Sequence, residues 1–151
     1  MRARIIFFGL LIVAGDARAP WFGTWKLNPA KSITNSDARF KRLTLKIEPW
    51  DDGLRVVYDM VGTRGGVTHM EWTGKFDAKD YPVQGVDYVL TNAYTVLNDH
   101  SYQILLKVDG AVAATATVVI SPDGKTLTTT TTEKNARGQS VMTTAVYEKE
   151  Q

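Results

Sequence analysis

The sequence predicts an all-β protein, an antiparallel up-and-down β-barrel of about nine strands. Apolar and polar residues alternate with a period of two through most of the chain after residue 42. Turn-forming combinations of Asp, Asn, Pro and Gly recur roughly every ten residues, and no segment has the length and period of a helix. Closure into a barrel removes the exposed edges of so large a sheet, whereas a two-layer sandwich is the alternative that these patterns leave open.

The first predicted strand covers residues 21–27. Gly23 lets the backbone bend or approach another strand closely, and Trp25 is large enough to plug one end of a barrel. We therefore assign Gly23 and Trp25 to structural closure of the barrel. Asn28 followed by Pro29 then predicts a cap and a single short helical turn.

Alternation next predicts strands over residues 43–48, 54–61 and 68–77. In the third of these strands Met70, Trp72 and Phe76 share one face and charged residues share the other. We therefore expect one face to belong to a core and the other to be solvent-exposed. Residues 77–85 form a polar bend. Pro82 within this bend argues against a central strand, because proline fixes φ and has no N–H.

Five further strands are predicted over residues 86–96, 102–108, 111–120, 125–133 and 140–148. Asp109-Gly110 is typical of a type I′ hairpin turn, which needs positive φ at both central positions. Residues 121–124, Ser-Pro-Asp-Gly, predict another tight turn with proline at its favoured second position. These strands complete the predicted meander.

The Gly-x-Trp motif of Gly23 and Trp25, followed by short strands, resembles the lipocalin and fatty-acid-binding superfamily, the calycins. Residues 22–32 (Phe-Gly-Thr-Trp-Lys-Leu-Asn-Pro-Ala-Lys-Ser), 80–83 (Asp-Tyr-Pro-Val) and 146–149 (Val-Tyr-Glu-Lys) are similar to small secreted bacterial lipocalin-like proteins of unassigned function. The resemblance covers most of residues 21–149 and implies the barrel over the sandwich. Lipocalins proper often pack an arginine of the last strand over the motif tryptophan, whereas the last strand here has Lys149 and no arginine.

Residues 1–19 have the pattern of a secretory signal peptide. Arg2 and Arg4 precede an apolar run over residues 5–14, and Ala17 and Ala19 are small residues where a signal peptidase reads. The run is shorter than the roughly 20 residues of a membrane span. We expect a secreted or periplasmic protein with one lipocalin-like barrel domain over residues 20–151. Proline directly after Ala19 hinders cleavage there, so a cut after Ala17 or an uncleaved anchor stays open.

Composition narrows the classes of partner. Loss of residues 1–19 removes three arginines and one aspartate from the 18 basic and 16 acidic residues, so the remaining domain is formally neutral. We therefore expect no nucleic-acid partner and no stable membrane insertion after signal cleavage. The absence of cysteine excludes disulfides, thiol nucleophiles and Cys-ligated zinc. The oligomeric state stays undetermined.

The two halves of the chain differ in the size of their alternating residues. The early strands supply bulky side chains, whereas the later strands carry small ones at Ala114, Ala116, Thr129, Thr131, Thr143 and Ala145. We therefore expect a cavity that opens toward one end of the barrel. Several tyrosine hydroxyls favour an amphipathic ligand over a purely apolar one. The predicted ligand-binding residues are Tyr58, Met60, Met70, Trp72, Tyr88, Tyr94 and Tyr102.

The sequence offers few residue patterns that would indicate catalysis or metal binding. Asp99-His100-Ser101 has the residue types of a hydrolytic triad, but three successive residues cannot form its relay, so we interpret it as a turn. His69 alternates with charged residues opposite Trp72, which favours a solvated position over a haem ligand. We expect no cofactor, no metal and no catalytic residues. The alternatives are a small-barrel isomerase or hydrolase acting on an apolar substrate, and an envelope interaction module with a filled barrel.

Overall fold

In the computed structural model, which describes residues 18–33 and 40–151, ten strands close into one antiparallel barrel. Each strand pairs with its neighbour in the chain, and the first strand also pairs with the last. This closure confirms the barrel and excludes the sandwich. The strands are β1 (Gly23–Leu27), β2 (Phe40–Trp50), β3 (Gly53–Gly62), β4 (Val67–Gly74), β5 (Tyr81–Gln84), β6 (Leu90–Asn98), β7 (Ser101–Val108), β8 (Ala111–Ile120), β9 (Thr126–Lys134) and β10 (Ser140–Lys149).

The predicted signal peptide falls largely on residues 1–17, which lie outside the described residues. Within the described residues there is no helix with the length and hydropathy of a membrane span. Between β1 and β2, the predicted helical turn is confirmed as a short 3₁₀ helix at Pro29–Lys31. The Asn28 side chain accepts a hydrogen bond from the Ala30 N–H at 3.1 Å, which satisfies a donor at the start of that turn.

The additional strand is β5, and the expectation that Pro82 keeps this segment out of the sheet was wrong. β5 is four residues long and lies between β4 and β6. It forms two residue pairs with β4 and two with β6, one of which joins Pro82 to Thr91. So short a ladder tolerates proline, since few hydrogen bonds are lost when one N–H is missing.

Several strand boundaries also differ from the predicted ones, and β2, for example, covers Phe40–Trp50 and not only residues 43–48. β4 ends at Gly74 and not at residue 77, where its pairing with β3 stops at Leu54. A side chain at position 74 would meet the rings of Trp72 and Tyr81, which favours glycine there. β6 begins at Leu90 and not at residue 86. Residues 85–89 instead connect β5 to β6, and Gly85 enters this connection with a φ of 100°, which favours glycine.

One end of the barrel is plugged around Trp25, which is fully buried. The Trp25 indole N–H donates to the Trp21 carbonyl at 3.0 Å, and the Lys149 ammonium lies 5.1 Å from the Trp25 ring centroid. Gly23 has a φ of 145°, and a Cβ there would lie 2.6 Å from Lys149 Cε. Glycine at this position therefore lets the lysine cross the tryptophan. We call this the plugged end, and the opposite end, at the β3–β4 and β7–β8 turns, the far end.

Replacing Trp25 with alanine is expected to lower the free energy of unfolding by about 3–5 kcal/mol, because a fully buried indole leaves a cavity that the plug cannot refill. Urea denaturation measures the change. Trp50→Ala is the matched control, since Trp50 is 48% exposed, and it is expected to cost less than about 1 kcal/mol. A loss below about 1 kcal/mol for Trp25→Ala would contradict its role in closure.

Candidate functional site

Strand register brings a stack of aromatic rings into the barrel interior. Trp72 of β4 stacks on Tyr94 of β6 with ring centroids 4.0 Å apart, and Tyr94 stacks on Tyr102 of β7 at 5.3 Å. Phe76 contacts both tyrosine rings edge-on, and Trp21 packs edge-on against Tyr102 at 5.4 Å. These five side chains form an aromatic floor over the plugged end.

Tyr58 of β3 lies on the same inward face, with Leu45 and Met70 as its cross-strand partners. It is half-buried, in contrast to the fully buried Tyr94. Besides burial, a charge on Tyr58 and the proximity of its hydroxyl as a hydrogen-bond acceptor both raise the pKa of Tyr94, although the distance and angle between the two hydroxyls do not meet the criteria for a hydrogen bond. Tyr58 thus lies where the buried floor meets the more accessible interior.

Burial raises the pKa of the phenols of Tyr58, Tyr94, Tyr102 and Tyr147, because the interior disfavours a phenolate. A charge on Tyr58 would further raise the pKa of each of the other three phenols. All four groups therefore remain neutral hydroxyls at physiological pH. They can donate hydrogen bonds to a molecule inside the barrel.

The far half of the interior is lined by half-buried side chains. Met60, Met70 and Leu106 lie there, and each packs against the buried core while keeping part of its surface accessible. On the opposite wall the small residues share the inward face, as the pairs Ala116–Thr131, Val118–Thr129 and Thr131–Thr143 show. Bulky residues on one wall of the interior thus lie opposite small residues on the other.

Six of the predicted ligand-binding residues share the inward face of the barrel: Tyr58, Met60, Met70, Trp72, Tyr94 and Tyr102. Tyr88 does not join them, since it lies in the connection of residues 85–89 and is 51% exposed. Gly23 and Trp25 lie at the plugged end. The structure adds Asn92 and Tyr147, which are buried and alternate with outward residues, a signal already visible in their strands.

His69 belongs to the outer surface, which confirms its predicted solvated position. Its ring nitrogens lie 2.6 Å from an Asp59 carboxylate oxygen and 2.9 Å from one of Glu71. Arg55 bridges Glu71 and Glu48 at 2.8 Å each. These carboxylates raise the pKa of the His69 imidazole, with Asp59 the larger cause. The network ties β2, β3 and β4 together from outside.

A shallow surface groove of about 410 Å³ lies between β1 and β10, away from the interior. Lys26 pairs with Glu150 at 3.5 Å, and Glu148 accepts hydrogen bonds from Asn28 and Lys31. Because these charged groups already have partners, the groove has little reason to hold a ligand. The interior is the stronger candidate site.

Together the fold and the interior define a closed antiparallel barrel with one plugged end and a tyrosine-rich, partly accessible interior.

Among solved structures the chain is similar to a de novo designed fluorescence-activating β-barrel, with 10% sequence identity and a TM-score of 0.48. The similarity covers 92% of this chain and 100% of the designed chain. No protein-family model and no curated protein matches the sequence.

Asp59→Asn is expected to lower the pKa of His69, because it replaces the carboxylate that contributes most to the upward shift. An NMR titration of the imidazole protons measures this change. The raised pKa means that protonated His69 adds stability below the pKa of the unfolded chain, and that this stability disappears as pH rises through the folded pKa. Asp123→Asn is the control, since Asp123 interacts with Ser121 in a different turn. An unchanged His69 titration in Asp59→Asn would contradict the assignment.

Proposed function

We propose that this chain is an exported binding protein that holds a small apolar or amphipathic molecule inside its barrel and performs no chemistry on it. The observation that supports the proposal is the difference in side-chain burial along the barrel axis. Trp21, Trp72, Tyr94 and Tyr102 of the aromatic floor are buried, whereas Phe76 of the floor and, toward the far end, Tyr58, Met60 and Met70 are half-buried. Bulky side chains that filled the interior up to the far end would leave less of Tyr58 and Met70 accessible.

The lining chemistry supports an amphipathic ligand. Methionine and leucine side chains in the far half offer apolar and adaptable contacts. Each methylene of a ligand that leaves water contributes about 0.8 kcal/mol, so a chain of about ten methylenes contributes about 8 kcal/mol, equivalent to micromolar affinity before association costs are subtracted. The neutral tyrosine hydroxyls at the floor provide the few polar points that orient a ligand.

The plugged end supports the calycin part of the proposal. Lys149 of the last strand packs over Trp25, the place that an arginine often takes in lipocalins proper. Gly23 makes room for this contact. The proposal of export to the periplasm or the medium depends on the signal pattern of residues 1–19 and on the resemblance to secreted lipocalin-like proteins.

Native mass spectrometry of protein purified from its own secretion route tests the proposal directly, alongside an organic extract and an absorbance scan. A stoichiometric adduct is the expected result. A bare mass, together with no response of the intrinsic tryptophan fluorescence to alkyl and aromatic probes, would contradict it and would favour the filled interaction module.

Thr131→Trp is expected to weaken binding of the adduct by at least about ten-fold, equivalent to about 1.4 kcal/mol, because the indole would occupy the inward side of the small-residue wall. Thr130→Trp is the matched control, since the next residue faces outward. Circular dichroism checks that both variants keep the fold. Equal loss of binding in the two variants would contradict an interior site.

A further inference from the structure

Asn92 and Tyr94 of β6 each bury a polar atom without a hydrogen bond of accepted geometry, although the Tyr58 hydroxyl lies close enough to that of Tyr94 to affect its pKa as an acceptor. Asn92 is 5% exposed and Tyr94 is 0% exposed. Within the described chain, Asn92 Oδ1 and the Tyr94 hydroxyl are two of three buried side-chain polar atoms without a partner, the third being the Trp21 indole nitrogen. Native proteins rarely leave such atoms unpaired, because burial removes their hydrogen bonds to water.

The two residues lie on the same face of one strand. Residues two apart in a strand are separated by about 6.5–7 Å, so both side chains belong to one short stretch of the inner wall. Their cross-strand partners on β7 are Leu106 and Ile104, which are apolar. Asn92 is nearer the far end, and Tyr94 belongs to the aromatic floor. A molecule that enters from the far end therefore passes half-buried Leu106 and reaches Asn92 before Tyr94.

The hydrogen-bonding capacity of these two atoms specifies which kind of ligand group can pair with them. Asn92 Oδ1 only accepts, whereas the Tyr94 hydroxyl donates or accepts. Trp72 already donates its indole N–H to the Tyr81 carbonyl at 3.0 Å, so the neighbouring ring does not compete for them. A group that carries both a donor and an acceptor, such as a hydroxyl or an amide, can satisfy both residues.

The distribution of charged residues further restricts which ligand group can bind next to Asn92 and Tyr94. Among the paired residues of the described strands, the charged ones on inward positions are Lys149, which covers Trp25 at the plugged end, and Glu133, which is exposed at the far rim. Around Asn92 and Tyr94 the inward neighbours are aromatic, aliphatic or hydroxyl-bearing. A charged headgroup there would lose its hydration without gaining a counter-charge, which is strongly unfavourable.

We propose that the interior selects amphipathic molecules whose polar end is uncharged and both donates and accepts hydrogen bonds, with that end held by Asn92 and Tyr94. Alkyl alcohols and alkyl amides belong to this class, and ionised fatty acids do not. The alkyl part lies toward the far end along Met60, Met70 and Leu106. This inference rests on the proposed function, since it names the ligand class of the same interior site.

Three probes of equal chain length test the inference on the whole protein: 1-decanol, decanoate and decylammonium. Isothermal titration calorimetry at about pH 8, where decanoate is ionised and decylammonium is charged, measures each dissociation constant. Decanol is expected to bind at least about ten-fold more tightly than either charged probe, since only it can pair with both polar atoms without burying a charge.

Two conservative variants connect this preference to the named residues. Asn92→Leu and Tyr94→Phe keep side-chain volume and remove one polar group each, and each is expected to weaken decanol binding by about ten-fold. Tyr81→Phe is the matched control, because the Tyr81 hydroxyl donates to Asp77 at 2.6 Å in an exposed pair, and its decanol affinity is expected to stay unchanged.

Stability of the ligand-free variants gives an independent measurement. Removal of an unpaired buried polar group is expected to leave the urea midpoint unchanged or to raise it, so both variants remain folded. A clear fall in the midpoint of both would show that these atoms have partners within the protein, and would overturn the inference.

The binding results separate failure of the inference from failure of the proposed function. Equal affinities for the three probes, or tighter binding of a charged probe, would overturn the headgroup selection and leave the binding protein intact. Undiminished decanol affinity in both variants would also overturn it. No binding of any probe, together with a bare native mass, would overturn the proposed function and the inference with it.

Discussion

Closure of the barrel depends on β1, a strand of five residues that pairs with β2 on one side and with β10 on the other. Trp25 is the residue of β1 that faces inward at the plugged end. A shift of one residue would turn it to solvent, because side chains alternate across a strand. The contacts of Trp25 with Trp21 and Lys149 therefore hold β1 in register. The aromatic floor contacts the plugged end through Trp21, whose carbonyl accepts the hydrogen bond from Trp25.

Charged and neutral polar groups are separated by the barrel wall. Outside, Arg55 and His69 connect carboxylates on three adjacent strands. Inside, the hydroxyls of Tyr58, Tyr94 and Tyr147 remain neutral because burial raises their pKa. The outer network contributes modestly, since its members are solvated. In the proposed binding role the inner hydroxyls would matter more, because hydrogen bonds discriminate more sharply where water is excluded.

Local sequence patterns were sufficient for most of the fold. Alternation identified nine of the ten strands, and the positions of Trp72, Tyr94 and Tyr102 on the core face followed from it. The prediction at Pro82 was wrong because the free-energy cost of a proline in a strand depends on the length of the strand ladder. Ladder length is a tertiary property that the local sequence does not show. Tyr88 was expected to face inward because the alternating pattern continues through residues 86–89. Residues 85–89 form a connection instead, in which Gly85 passes close to the backbone at His69. The unpaired state of Asn92 could not be predicted, since it depends on what the neighbouring strands bring near it.

The short β5 strand makes the barrel mechanically uneven. On both sides of β5 the ladder holds two residue pairs, whereas β2 and β3 share ten. Local opening costs least where the fewest hydrogen bonds and contacts must break, so thermal breathing concentrates at this seam. The seam borders Trp72 and Asn92, the partners of Val83 and Tyr81. The wall next to the aromatic floor is thus the part of the barrel held by the fewest backbone pairs.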